Sequence, residues 1–464
     1  MAERVLFVGP TLPDAEKLLA GTGIRVLPPI AAYDLFQLDP SPGDVVGIVD
    51  GHFHHSRSIT HKEILVMLDR GVRVLGAAST GALRAAELST FGMTGIGEIY
   101  DDYASGLLEA DDEVTLLHSL PEHDYRPLSE PLVNMRATLA AAERKGFCSA
   151  ATRGLLLDAM ADRPYPARCY RAMWAVGRDL GVDGDELLQL ASFVDSGAVD
   201  QKRADAVLLL DILREADLPP RKPMGVELSR TLFVHGWELE NRGEVEENTS
   251  TWISDLAALR VCQLLAGDYP ALHRELVLGW LAEDCRRECR LPQAGRPSEA
   301  VAVDHGEHRG VYRIDSATQE VFLDDWLTEA ERGLAPREQL ALFLVRSFRV
   351  APSLPWDELA LKALRGTRSF ARARQLAAYA SGVNAKLAQR DHSFHVDRIA
   401  EKRITEDTAR RWGVPLSNLE LAALDRGFGS VENALASGRY VHLLAKYNPN
   451  EVRFEMRPEP ARTH

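Results

Sequence analysis

Cysteine is scarce in this chain: five in 464 residues, at 148, 169, 262, 285 and 289. An odd, scattered set does not make a disulfide framework. Cys285 and Cys289 stand four apart in a helical pattern and could share a face. No second cysteine or histidine pair lies close to them in the sequence, which speaks against a zinc site. No metal and no cofactor is expected. Long apolar runs are lacking as well. None reaches the length of a membrane span, and no signal-peptide pattern precedes the first strand. A cytoplasmic protein without membrane contacts is the expectation. Basic residues are in deficit, 54 against 68 acidic ones, for a formal charge of −14. That argues against a broad nucleic-acid surface. The glycine-rich Gly92-Met-Thr-Gly-Ile-Gly97 lacks the G-x-G-x-x-G spacing and a Walker lysine, so no nucleotide site is read there. No internal repeat stands out.

What is present is apolar content, about 45% of the residues, enough for substantial cores. The length suggests two or three domains. Strand and helix patterns alternate through the first third. Apolar strands are expected at 4–8, 24–27, 44–49 and 72–75, and helices at 14–19, 60–69 and from 81. Continuous apolar strands alternating with helices indicate an α/β domain with a mostly parallel sheet and flanking helices. From Ser129 the pattern turns helical. Ser129 and Pro131 could open a helix that Gly146 closes. Leu218-Pro-Pro-Arg-Lys-Pro223 reads as a linker. The expected division is therefore an α/β domain with a helical extension over 1–217 and a largely α-helical region over 224–464. In the latter, apolar positions keep helical spacing at 251–266, 336–348, 368–389 and 416–425. A β-hairpin is expected within 310–322.

Ligands of parallel sheets bind beyond the carboxyl ends of the strands. Three segments rich in small and polar residues fall there: Gly9-Pro10-Thr11, Asp50-Gly51-His52 and Ala78-Ser79-Thr80. Ala77-Ala-Ser-Thr-Gly81 approximates the nucleophile elbow G-x-S-x-G, with alanine in place of the first glycine. Ser79 is thus a candidate nucleophile. Its spacing fits a helix cap better, and a cap is compatible with an anion-binding hydroxyl. The N–H of Thr80 would supply half of an oxyanion hole, and the helix start at Gly81 favours an anion. His52, His54, His55 and His61 crowd one loop and the next helix start. His61 is the strongest general-base candidate among them. Thr60-His-Lys-Glu63 is a capping box, so Glu63 serves as a cap or as an acid–base group. Lys62 could pair with an anionic substrate. Arg84 and Glu87 lie one helical turn apart among apolar residues, where an arginine suits a carboxylate. Asp50 ends an apolar strand. Asp111-Asp-Glu113 suits a helix N-terminus.

Several blocks together also carry a family resemblance. Val8-Gly-Pro-Thr-Leu-Pro13, Ile48-Val-Asp-Gly51, His61-Lys-Glu-Ile-Leu65, Gly76-Ala-Ala-Ser-Thr-Gly-Ala-Leu-Arg-Ala-Ala-Glu87, Phe91-Gly-Met93 and Gly95-Ile-Gly-Glu-Ile-Tyr100 resemble the TfuA family. Asp111-Asp-Glu-Val114 and Val199-Asp-Gln-Lys-Arg-Ala-Asp-Ala206 extend the resemblance, which covers about residues 1–215. Thr80 departs from it, standing where many members carry methionine. TfuA-like proteins act beside YcaO enzymes, which use ATP to activate a backbone amide for replacement of its oxygen by sulfur. The resemblance implies that this protein supplies the sulfur, by hydrolysing a thiocarboxylated ThiS-like carrier of ubiquitin fold. It also implies a peptide natural-product pathway, with a ribosomally made precursor peptide reached through the complex. No cysteine precedes Cys148, so a thiol of the motif-rich region cannot attack. Either Ser79 attacks, or a water activated by His61 or Glu63 does. Arg84 and the helix start would hold the negative charge. Two other readings compete. One is a non-enzymatic adaptor that binds and allosterically activates the YcaO enzyme. The other is an unrelated serine hydrolase, which needs a completed triad.

Overall fold

A computed structural model describes residues 2–52, 57–119, 123, 125–215, 228, 231–289, 295–314, 323–348 and 356–456, with the side chains of 232, 233 and 356 excepted. The chain divides into two compact units, Met1–Ser229 and Arg230–His464. The linker candidate at 218–223 lies outside the described residues.

The first unit opens with the expected alternation: β1 (Arg4–Phe7), α1 (Ala15–Leu18), β2 (Arg25–Leu27), α2 (Asp34–Leu38), β3 (Val45–Ile48), α3 (His61–Arg70), β4 (Arg73–Ala77), α4 (Thr80–Leu88), β5 (Thr94–Ile96) and α5 (Glu98–Ser105). The strands form a wholly parallel sheet in the order β2-β1-β3-β4-β5. Every residue of β3 is buried, as expected of a strand covered on both faces. β5 was not foreseen, because Thr94-Gly-Ile96 offers little apolar signal. It forms by pairing with β4, Gly95 beside Gly76. α3 starts at a complete capping box and stops at Gly71, whose φ of 95° is the left-handed form that favours glycine.

The helical extension comprises α6 (Leu132–Arg144), α7 (Ala150–Ala161), α8 (Tyr170–Asp179), α9 (Gly184–Gly197) and α10 (Gln201–Arg214). The helix expected from 129 begins at Leu132 after Pro131. α6 to α9 pack around Leu139, Leu156, Met160, Met173 and Leu190. α10 returns to the sheet, and Gly47 of β3 leaves room for its Leu209 and Leu213. The strand order reverses between β1 and β3. Such an order places a ligand crevice beyond those two strands' carboxyl ends.

The second unit is mainly helical: α11 (Leu232–Asn241), α12 (Asp255–Leu265), α13 (Tyr269–Glu288), α14 (Ser298–His308), α15 (Pro336–Ser347), α16 (Trp356–Leu364), α17 (Arg368–Arg390), α18 (Glu401–Trp412), α19 (Leu419–Asp425) and α20 (Val431–Tyr447). One core gathers α12, α16, α17 and α20 around Leu259, Leu361 and Phe370. Another joins α13, α14 and α15 through Val277, Val303 and Leu340. The helical pattern expected over 251–266 needs correction at its start. Thr251–Ser254 is β7, paired antiparallel with β6 (Gly243–Glu246). Trp252 and Ile253 alternate outward and inward, and Ser254 caps the helix behind them by accepting from Ala257 N–H at 3.1 Å. Residues 315–322 of the expected hairpin lie outside the described residues. Among the described residues, no helix is long and apolar enough to cross a membrane.

Candidate functional site at the carboxyl edge of the sheet

The connection from β4 to α4 is unusually tight. Ala78 has φ of 66°, and Ser79 N–H donates to the Ala77 carbonyl at 2.8 Å, closing a three-residue turn. Turns of this hand are strained for residues other than glycine. Ser79 occupies the N-cap position of α4 and is 4% exposed, yet its side chain makes no capping bond. α4 lies almost in contact with the strand backbones. A Cβ on Gly81 would fall 1.8 Å from the Ile48 carbonyl oxygen, and one on Gly76 would fall 2.1 Å from the Gly81 oxygen. The Gly81 N–H donates to the Val49 carbonyl at 3.1 Å. Gly81 therefore serves close packing, and its N–H is already engaged.

Beside this turn, at the β1/β3 crevice, Asp50 is 2% exposed. Its Oδ2 accepts from the N–H groups of Gly9 and Thr11, both at 2.9 Å, and Oδ1 accepts from the Thr11 hydroxyl at 2.5 Å. Lys202 Nζ of α10 approaches the same carboxylate at 4.0 Å and donates to the Val114 carbonyl at 2.8 Å. Burial lowers the Lys202 pKa, and the charge of Asp50 opposes that shift. Asp50 thus ties the ends of β1 and β3 to α10. In the sequence, Lys202 stands within the block Val199-Asp-Gln-Lys-Arg-Ala-Asp-Ala206 with nothing local to give it a role. The signal was its position: Lys202, Asp205, Ala206, Leu209 and Leu213 share the buried stripe of α10. A charged residue on an apolar stripe is unusual.

On the first two turns of α4, Thr80 Oγ1 and Arg84 Nε are buried without hydrogen-bond partners among the described residues. They are four residues apart, hence on one face. Arg84 Nη1 donates to Glu87 Oε2 at 2.7 Å, and His61 Nε2 of α3 bonds the same oxygen at 2.7 Å. The side chain of Arg84 is 13% exposed, and that of His61 48%. The structure thus joins three of the candidates, His61, Arg84 and Glu87, into one chain of contacts.

Glu63 is placed differently. It is fully buried. Oε1 accepts from Thr60 N–H at 3.1 Å, and Oε2 accepts from Tyr33 N–H at 2.6 Å. Burial pushes its pKa up to about 7, against those hydrogen bonds, and the charge of Asp34 adds to the rise. The cap reading and a titration near neutrality coexist in this residue. Lys62 is half-buried on the same helical turn. His52 is anchored by its backbone, donating to Ile30 at 3.1 Å. His54 and His55 lie outside the described residues. The acidic triplet is structural: Glu113 takes a bidentate pair from Arg136 at 2.7 and 2.9 Å, and Asp112 pairs with the buried Arg168 at 2.5 Å.

The segment of residues 50–169 matches the family model described as TfuA-like protein. It contains Asp50, His61, Glu63, Ser79, Thr80, Arg84 and Glu87; Thr11 and Lys202 lie outside it. No curated protein matches the chain.

Proposed function

We propose, from the match to the TfuA-like family model and from the contacts that join His61, Glu87 and Arg84, that the protein delivers sulfur beside a YcaO enzyme. In this reading it hydrolyses the thiocarboxylate of a small ThiS-like carrier and releases hydrosulfide for backbone thioamidation of a ribosomally made peptide. The observation that carries the reading is the pair of buried, unpartnered polar atoms, Thr80 Oγ1 and Arg84 Nε. Buried polar groups ordinarily find partners, and leaving one without costs about 1–3 kcal/mol. An anionic substrate oxygen or sulfur would satisfy both, at the positive end of α4.

The chemistry balances with this chain's own groups. Ser79 Oγ attacks the thiocarboxylate carbon and its proton passes to sulfur, which leaves as hydrosulfide. Water then cleaves the acyl-serine, returning the hydroxyl and releasing the carrier carboxylate with one proton. Alternatively, water attacks directly and the products are the same. Glu63, titrating near 7, and His61 are the candidate bases. Arg84 and the Thr80 N–H hold the developing oxyanion. Glu87, itself bonded to His61, holds Arg84.

The test is sulfide release from a thiocarboxylated ThiS-like carrier with no YcaO enzyme present. Wild type should release it. Ser79→Ala should fall to background if serine attacks, and Arg84→Met should lose on the order of 100-fold. Full activity in Ser79→Ala would leave the water route. No release by wild type from an intact cognate carrier would refute the hydrolase and leave the adaptor reading.

A further inference from the structure

The C-terminal unit holds a cluster of soft donor atoms that the function above does not use. α13 ends at Glu288, and Cys289 N–H continues its pattern by donating to the Cys285 carbonyl at 2.9 Å. The two thiols therefore share one face, one turn apart. α14 packs along that face and presents His305, which is 4% exposed. A nitrogen of its ring, Nδ1, lies 3.2 Å from Cys289 Sγ. The other, Nε2, lies 3.3 Å from Asp284 Oδ2. One ligand atom from each of Cys285, Cys289 and His305 falls within 4.8 Å of the others. Cys285 is fully buried against Ala282 and Val301, whereas Cys289 is half-buried. Among the described residues, the cluster is closed at Cys285 and open at Cys289.

We propose that Cys285, Cys289 and His305 bind one zinc ion. Tetrahedral zinc, with bonds of about 2.3 Å to sulfur and 2.0–2.1 Å to nitrogen, sets its ligand atoms about 3.5–3.8 Å apart. The observed cluster reaches that geometry with side-chain movements of about 1 Å. Asp284 completes the arrangement. A carboxylate on the far nitrogen of a metal-binding imidazole fixes its tautomer, leaving Nδ1 to face the metal. Charge also balances: two thiols lose their protons on binding, and two thiolates with a neutral imidazole cancel the charge of Zn²⁺. Three protein ligands leave the fourth position to water or a small anionic ligand on the open side. The sequence concealed the site because His305 is sixteen residues beyond Cys289, on another helix.

The full-length protein, reduced and freed of metal with a chelator, is titrated with cobalt(II) and then with zinc. The expected result is one equivalent of cobalt with a thiolate-to-cobalt absorption band, displaced by zinc. Two of the five thiols should become shielded from alkylation. Cys289→Ser and His305→Ala should each weaken binding at least tenfold, and Asp284→Asn by about 10–100-fold. Cys169→Ser should leave it unchanged. Circular dichroism verifies folding, and the half-buried Cys289 makes its serine variant the safer probe. The proposal fails if the folded, reduced wild type gives no thiolate–cobalt band. It fails equally if binding survives in Cys289→Ser and His305→Ala. Rapid alkylation of Cys289 that zinc does not slow would instead mark a histidine-activated thiol.

Discussion

One local motif occurs in both units and ends in opposite electrostatics. Thr60-His-Lys-Glu63 and Thr328-Glu-Ala-Glu331 each fold the glutamate back onto the threonine N–H, at 3.1 and 2.8 Å. Among the described residues, Glu63 meets no cation. Burial dominates, and its pKa rises from 4.5 to about 7. Burial also acts to raise Glu331. There, however, Arg346 donates from Nη1 and Nη2, both at 2.7 Å, and the pKa is held down to about 2. The difference comes from shallower burial, with the Glu331 side chain 23% exposed, and from an arginine on α15, 2% exposed, which also pairs with Asp425 at 2.8 Å. A carboxylate's local hydrogen bonds are thus a weaker determinant of its charge than the residue that a distant helix brings to it.

The largest effect should come from removing that arginine. Arg346→Met strips two carboxylates of their cation and should cost about 3–5 kcal/mol, as loss of one partner of a buried pair does. Chemical denaturation measures the loss. In the same variant, Glu331 should move toward the behaviour of Glu63. Lys202→Met is the counterpart in the first unit. It leaves Asp50 buried without its cation and should approach the same cost. If Asp50→Asn added to Lys202→Met recovers none of the loss, the two residues are not coupled.

Opposite pH responses should follow in the two units. The raised pKa of Glu63 means that the fold favours its protonated form. Its stabilising contribution is complete below about pH 4.5 and disappears as pH rises through about 7, a change of at most about 3 kcal/mol. The lowered pKa of Glu331 means that the fold favours the carboxylate. That contribution is present above about pH 4.5 and is lost as pH falls toward 2, again about 3 kcal/mol. Hydrogen exchange of α3 and α15 amides, corrected for intrinsic rates, resolves the units separately. Glu63→Gln should flatten the first dependence and Glu331→Gln the second. Equal slopes in both units would break the comparison.

The smallest effect belongs to His61→Ala. Its contact with Glu87 is half-exposed, and exposed pairs contribute about 0–1 kcal/mol, screened by salt. A much larger loss of stability would mean that His61 supports the fold beyond this contact. Loss of sulfide release with stability unchanged would instead favour its place beside Arg84 in the reacting site.

Local chemistry in the sequence was enough to read the parallel sheet, the capping box at Thr60 and the crowding of small and polar residues at strand ends. The reason is that strand burial, helix caps and tight turns depend on residues a few positions apart. Close packing was legible in part, since Gly76 and Gly81 stood out as small but their backbone contacts did not. Other features depended on residues brought from afar. Lys202 reaches Asp50 across 152 positions of the chain (202 minus 50). β5 needs β4 as a template, and β7 needs β6. His305 meets Cys289 only because α14 lies along α13. Arg346 holds the charge of Glu331, while nothing comparable among the described residues reaches Glu63. The sequence by itself determined the strands β1 to β4, most of the helices and the caps and turns between them. The tertiary structure decided which buried charges are paired, which polar atoms are left without partners and which thiols meet an imidazole, because burial and Coulomb energy depend on distance in space.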